Sequence, residues 1–411
     1  MNKDWKKNIV LFLMSQTISL FGTSLVQYAI MWHITLETQS GVMMTISIIC
    51  GFLPIFLLSP FAGVWADRYN RKNLIALSDS FIAISTLILA MLFYYGHESI
   101  WLLFVASAVR AFGSGIQSPA VNAIIPQLVP EDKLTKVNAT NGSIMSMVTL
   151  LSPMLSGALL SLTSIEFIFL IDVVTAAIAV LILVLFLHVK PHAKALEKQE
   201  ESYFIDMREG IRYINEHNFL KVYFAFLAVF YVLFAPAAFL TPLQTARTFG
   251  DDVWRLTVLE VVFSVGMIIG GIFMTFWGGF KNKIHTMSVG CVAIGAITFG
   301  LGVVNHFFVY IFLMGLFGVI MPIINTPGMV LLQEKVESDY MGRVFSILSM
   351  ISSIMMPFGM LVFGPVSDII KIEWMLIGTG IMVIVLSYFF GINKILLEAG
   401  KSIVKTDIER N

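Results

Sequence analysis

Charge is what this sequence has least of. Its 411 residues carry 26 Lys and Arg and 26 Asp and Glu, only 13% in all, about half of what covers a soluble globular domain. The zero net charge leaves no basic field, and so removes the electrostatic footprint that nucleic-acid binding requires. Cysteine is nearly absent. Cys50 and Cys291 both fall in apolar runs, without the spacing of a disulfide framework or a thiolate metal site. A phosphate-binding loop is missing too: AGKS at Ala399 to Ser402 has Ile395 where the first glycine belongs, which excludes an ATP-driven pump. The one histidine pair at a spacing of four, His188 and His192, straddles Lys190 and Pro191. The proline breaks the helical face such a zinc pair needs, so neither a metal site nor a hydrolase is expected, and no cofactor.

What is present in abundance is apolar. Hydrophobic residues make up 57% of the chain and the mean hydropathy is +0.86, the composition of an all-α integral membrane protein. Spans of about 20 residues are needed to cross about 30 Å of hydrocarbon. Twelve are predicted, approximately at 9 to 32, 42 to 65, 74 to 95, 99 to 123, 139 to 162, 166 to 188, 219 to 241, 255 to 277, 285 to 304, 307 to 332, 344 to 366 and 374 to 395. This divides the chain into an N-terminal six-helix bundle (1–188), a cytoplasmic linker (189–218), a C-terminal six-helix bundle (219–395) and a cytoplasmic tail (396–411). Within the linker, SYFIDMREGIRYINEH suggests a helix that is either a membrane-surface amphipath or a tether. The opening MNKDWKKNIVLFLMSQ has the charged start of a signal peptide but no small-residue cleavage site, and reads as a retained helix.

Lysine and arginine are held on the cytoplasmic side of short loops. With both termini inside, only Arg247, Arg255 and Lys371 fall at the outer side and only Arg110 deep within a span, the remaining bases lying in cytoplasmic segments or at the span ends that border them. The turn GVWADRYNRKN places Arg68, Arg71 and Lys72 between two apolar runs, where they anchor topology. That role does not account for Asp67, nor for Gly63, a residue type that lets helices pack closely.

Internal repetition supports duplicated bundles. The loop QLVPEDKLTKV resembles QEKVESDYMGRV: each has a glutamine, an acidic patch, and a base followed by valine (Lys136 and Val137; Arg343 and Val344), then a helix expected to break at Pro153 or Pro357. GGFKNK, after the eighth span, is the diverged partner of the turn at Asp67.

Gly63, Asp67, Arg68, Arg71 and Lys72 form GxxxDRxxRK, which resembles the loop 2-3 signature of the major facilitator superfamily. Arg110 with Gly113 and Gly115 resembles the arginine-and-glycine motif of proton-coupled members. LLSPMLSG, ending at Gly157, resembles the antiporter hinge, with Ser152 and Ser156 where glycines are usual. GFLP at Gly51 to Pro54 and LLQEKVESDYMGRVFS are similar to the macrolide-efflux branch of the drug:proton antiporters. The resemblance covers nearly the whole chain. It implies the two-bundle major facilitator fold, a hinge at Pro153, Gly157 and Pro357, and a gate. In the gate Asp67 would lie near the N-terminal end of the eleventh span, where an anion contributes about 0.3 to 1 kcal/mol and latches the halves.

An ionisable group at the bilayer centre costs about 2.5 to 3.5 kcal/mol on insertion scales, so its presence points to function. Arg110 lies roughly 17 Å into the fourth span at about 1.5 Å per residue. Ser107, Ser114 and Gln117 share its face. Asp172, Glu260 and Asp79 are the acids within spans. Each either couples transport to protons, by binding one on one side and releasing it as the site rehydrates or Arg110 approaches, or binds a cationic amine; Asp79 and Asp172 could instead cap or bridge helices. In the first span Gln16, Ser19, Thr23 and Gln27 form a polar stripe that either lines a cavity or glues helices. Tyr223, Phe226 and Phe230 supply either a wall for an amphiphile or ordinary packing.

The combined reading is a non-enzymatic exporter of a small, macrolide-like amphiphile, exchanging it for protons by alternating access in a bacterial cytoplasmic membrane, as a monomer. Export of a siderophore, peptide or metabolite, and passive facilitation, are the alternatives.

Overall fold

The computed structural model describes residues 5–187, 189, 203–337 and 340–401; for residues 59, 60, 64, 67, 131 and 203–207 it describes the backbone alone. His188, His192, the first part of the expected linker and the end of the tail lie outside the described residues, as does the side chain of Asp67.

Every described element is helical: α1 (Trp5–Thr38), α2 (Gly41–Arg68), α3 (Arg71–Tyr94), α4 (Ile100–Leu128), α5 (Leu134–Leu162), α6 (Ile165–Leu181), α7 (Tyr203–Glu216), α8 (Asn218–Phe239), α9 (Thr241–Phe249), α10 (Val253–Trp277), α11 (Lys283–Val303), α12 (Phe307–Lys335), α13 (Met341–Ser367), α14 (Ile372–Ile392) and α15 (Lys394–Ala399). Among them are twelve membrane spans, with α8 and α9 counted as one. In hydrocarbon a backbone must satisfy its own polar groups, and a helix does this within one segment. Most spans outrun the hydropathy windows, because helical pairing continues into interfacial sequence, while the sixth and twelfth end short of theirs. α6 ends in a π-helical turn, Ile182–Phe186.

The chain divides into two compact units, Met1–Phe204 with Thr245–Val261, and Ile205–Gln244 with Val262–Asn411. In the first, α1 packs on α5 and α6, α3 on α4 and α6, and α2 on α4. In the second, α8 packs on α13 and α14, and α11 on α12 and α14. The pairings repeat in the same order. Capping repeats as well: Asn70 Oδ1 accepts from the Lys72 amide at the start of α3, and Asn282 Oδ1 from the Ile284 amide at the start of α11, both at 3.0 Å. The duplicated turn therefore kept its asparagine cap while its acid diverged.

Two expectations are corrected. Pro153 and Pro357 lie inside α5 and α13 without breaking either helix, a position membrane helices tolerate for proline. Gly63 does not produce close packing within its own unit: a Cβ there would meet none of the described residues within 4 Å.

The linker segment ends in a packed helix. Tyr213 of α7 is buried and stacks on Tyr340 at 4.3 Å and 14°. Glu209 pairs with Arg343 at 3.1 Å, and Gly210 lies against Arg343 and Ile347 of α13. These contacts fix α7 to its own unit.

Candidate functional site

The interior of the first unit holds three buried ionisable side chains, Asp79, Arg110 and Asp172. Arg110 projects from the middle of α4. Its Nη1 donates to Asp172 Oδ2 at 2.5 Å and also to Thr86 Oγ1, while its Nη2 donates to the Thr23 carbonyl at 3.1 Å. Thr86 Oγ1 in turn donates to Asp172 Oδ2 at 3.0 Å. A guanidinium that must satisfy several donors in a rigid fork thus finds partners on α1, α3 and α6. Only its Nε, buried, has none among the described residues.

Glycines make the approach possible. A Cβ on Gly22 of α1 would collide with Thr175 Oγ1 and reach Asp172, so the bare backbone lets α6 bring its carboxylate in. On α4 a Cβ at Gly113 would press on Ile82 of α3 at 2.6 Å, and one at Gly115 would lie 3.3 Å from the Ile55 backbone of α2. The glycines after Arg110 thin α4 on the sides where α2 and α3 close in.

Asp79 lies seven residues, about two turns, before Thr86 on α3. Its Oδ1 accepts from Ser19 Oγ and from Gln117 Nε2, both at 2.6 Å. Its Oδ2 is buried without a hydrogen-bond partner among the described residues. The two acids are therefore held differently, Asp172 by a cation and a hydroxyl, Asp79 by two neutral donors.

The polar stripe of α1 divides along its length. Ser19 and Thr23 join the network, Thr23 Oγ1 lying 3.5 Å from Asp172 Oδ1. Gln16 has a buried, unpartnered Nε2, and Gln27 is exposed. Glu260 stands apart on the first turns of α10, half-buried, with no hydrogen-bond or ion-pair partner among the described residues. Gly157 of α5 meets the same region, since its Cβ would collide with Thr257 Oγ1 and come within 3.0 Å of Trp32. Ser156 donates to the Leu25 carbonyl of α1 at 3.0 Å, using the hydroxyl that replaces a hinge glycine.

Tyr223, Phe226 and Phe230 are buried in the second unit, with Phe226 stacked on Phe390 at 3.9 Å and on Phe230 at 5.9 Å. The structure places these rings in the packed bundle interior. No charged side chain is buried among the described residues of that unit; a buried polar contact there is neutral, Gln244 donating to the Leu301 carbonyl at 2.9 Å and accepting from Tyr310 Oη at 2.8 Å.

At the α2–α3 turn the basic residues act within their own unit. Arg71 donates to the carbonyls of Ala66 and Ala123 at 2.9 and 2.7 Å. Lys72 Nζ donates to those of Val184 and Leu187 at 3.1 and 2.7 Å. Cations on carbonyls at helix ends are favourable pairings, and these two tie α3 to α2, α4 and the end of α6. Arg68 is exposed. Thr86 and Gly22 are the site residues that sequence reasoning missed; the two-turn spacing of Thr86 from Asp79 was the available signal for the first.

Residues 10–360 match the model of the Major Facilitator Superfamily. The chain belongs to that superfamily. Macrolide efflux protein A of Streptococcus pyogenes is 27% identical over 383 residues, 93% of this chain and 94% of that one. The Staphyloferrin A transporter of Staphylococcus aureus is 24% identical over 400 residues, 95% and 98% of the two chains. The fold is that of solved superfamily transporters: a bacterial homolog of the human lysosomal transporter Spinster, in an inward-facing and unoccupied conformation, superposes with a TM-score of 0.69 at 14% identity, over 97% of this chain and 98% of that one. This superfamily member is a multi-pass membrane protein, and its relatives are transporters rather than enzymes.

Proposed function

We propose that this protein exports a macrolide-like amphiphile by proton antiport. The observation that carries the reading is the buried Arg110–Asp172 pair with Asp79 beside it, ionisable groups whose presence in a membrane bundle is costly unless used. The similarity to macrolide efflux protein A supports the substrate class.

In this cycle Asp79 and Asp172 belong to two hydrogen-bonded clusters that both draw on α1, Ser19 serving the first and Thr23 the second, and a proton on Asp172 changes the grip on Arg110. Protonating Asp172 weakens its hold on the guanidinium; releasing the proton restores the pair. The change in helix contacts is the event that alternating access needs, with the hinge at Pro153, Gly157 and Pro357 and the Asp67 turn as its gate. Glu260, without an ion-pair partner among the described residues, contributes a charge for substrate or proton. One proton entering at about 100 mV supplies about 2.3 kcal/mol, enough for useful export of a neutral compound. The protein acts as a monomer in the cell membrane with both termini cytoplasmic, the side on which nearly all loop bases then fall.

The test is uptake of labelled macrolides into everted vesicles with the pH gradient and the voltage varied separately. Uphill accumulation that collapses with a protonophore supports antiport; equilibration alone overturns it in favour of facilitation. The Staphyloferrin A transporter's similarity over 95% of this chain favours a second reading, export of another small molecule, which the same vesicles distinguish by substrate.

A further inference from the structure

The outer side of α3 carries a structural feature that the transport cycle does not use. Its inward face holds Ile75, Asp79, Ile82 and Thr86, while Leu77, Phe81 and Ile84 point away from the protein, exposed at 67%, 45% and 57%. Between this face and the adjoining parts of α2 and α4 runs a groove of about 550 Å³, which Trp65, Tyr69 and Phe112 also line. Such a volume is in the range of a small-molecule site, and here it opens outward from a membrane span, toward lipid.

Its length and ends identify an occupant. From Leu74 to Ile84 the lining residues of α3 rise about 15 Å at about 1.5 Å per residue, half of the roughly 30 Å hydrocarbon core and so the depth of one leaflet. Trp65 and Tyr69 stand at the interfacial end, the aromatic pairing with headgroups that membrane proteins favour. Arg68 falls between them in the sequence of α2, outside the lining itself, exposed and without an ion pair among the described residues. Arg71 and Lys72 are turned onto backbone carbonyls and add to the positive field without competing for a ligand.

We propose that this groove binds an anionic phospholipid, one acyl chain lying along Leu77, Phe81 and Ile84 and the phosphate at Arg68. The sign of the charge decides against the other amphiphile in view: a cationic drug entering here would meet the arginine first. Ser78, which forms part of the inner wall, precedes Asp79 in α3, so an occupied groove bears on the helix that carries the buried acid. The proposal stands independently of which compound is transported.

The test uses the full-length protein in vesicles that mix phosphatidylglycerol and phosphatidylcholine, with bromine on the chains of one lipid at a time, and reads the tryptophan emission lost on changing Trp65→Phe. At equal mole fraction, brominated phosphatidylglycerol is expected to quench the Trp65 component at least twofold more than brominated phosphatidylcholine. Arg68→Gln should bring the two lipids level while leaving quenching by phosphatidylcholine unchanged. Raising the salt concentration should do the same in the unaltered protein, because an exposed pair is screened. Equal quenching by the two lipids at low salt, or a preference that survives both Arg68→Gln and salt, overturns the proposal. Relief of quenching by tetraphenylphosphonium also overturns it, making the groove a portal for cations.

Discussion

Arg110 Nη1 lies 2.5 Å from Asp172 Oδ2, with 3% and 0% of the two side chains exposed. In so dry a setting the pair is weak evidence for net stability, but breaking it is costly, because the surviving charge is left without an anion.

Asp172→Asn should therefore destabilise the protein by about 3 to 5 kcal/mol, read as a lowered unfolding temperature in detergent. Arg110→Met combined with Asp172→Asn should recover most of that loss and still abolish uphill transport. If the double variant is no more stable than the single one, the two residues do not act as a pair.

Asp79→Asn presents the same Oδ1 to Ser19 and Gln117 and leaves the other branch as unpartnered as before. Stability should change by no more than about 1 kcal/mol. Downhill efflux should continue while accumulation against a gradient, and its dependence on the pH difference, disappears. Retention of full coupling would assign the proton elsewhere, with Glu260→Gln the next variant to measure.

Two glycines should behave oppositely on change to alanine. At Gly22 the added methyl meets Thr175 Oγ1 and Asp172, an overpacking that costs about 1 to 3 kcal/mol. At Gly63 it meets open space, and both stability and transport should be unaltered. Lost transport in Gly63→Ala would show a close approach in another conformation of the cycle.

Phe226→Ala removes a ring stacked on Phe390. A soluble core loses about 3 to 5 kcal/mol in this way, and less is expected here, since lipid is as apolar as a bundle interior. The unfolding temperature should fall while the ranking of exported compounds stays the same. An altered substrate range in a normally stable variant would restore the ring to a cavity wall.

Tyr213→Ala should free α7. Its ring stacks on Tyr340 and its hydroxyl accepts from the Glu337 amide at 3.3 Å, so amide exchange across Tyr203–Glu216 should rise severalfold without change in the twelve spans. Unchanged exchange would mean that the Glu209–Arg343 pair suffices to hold the helix.

The spans were legible because their signal is local: twenty apolar residues in a row have few alternatives in a bilayer. The duplication was legible only partly. Val137 and Val344, read as equivalent, are both buried at the start of their helices, whereas the shared caps of Asn70 and Asn282 were hidden behind the lost acid. The expected breaks at Pro153 and Pro357 failed because a proline's local cost says nothing of the neighbours that offset it. Gly63 failed for the reverse reason, since a small residue permits close packing without producing it.

Composition and spacing alone determined that this chain is a helical membrane protein with an internal repeat, and that Arg110 lies deep within its fourth span. They could not choose among Asp79, Asp172 and Glu260. Helical periodicity fixes which residues share a face, but not how that face is rotated toward other helices. The tertiary fold made the choice by turning α6 so that Asp172, past the bare backbone of Gly22, meets Arg110, and by leaving Asp79 with neutral donors. The same rotation sent the Phe226 ring inward and Leu77 outward, because packing partners, rather than sequence neighbours, decide what each side of a helix touches.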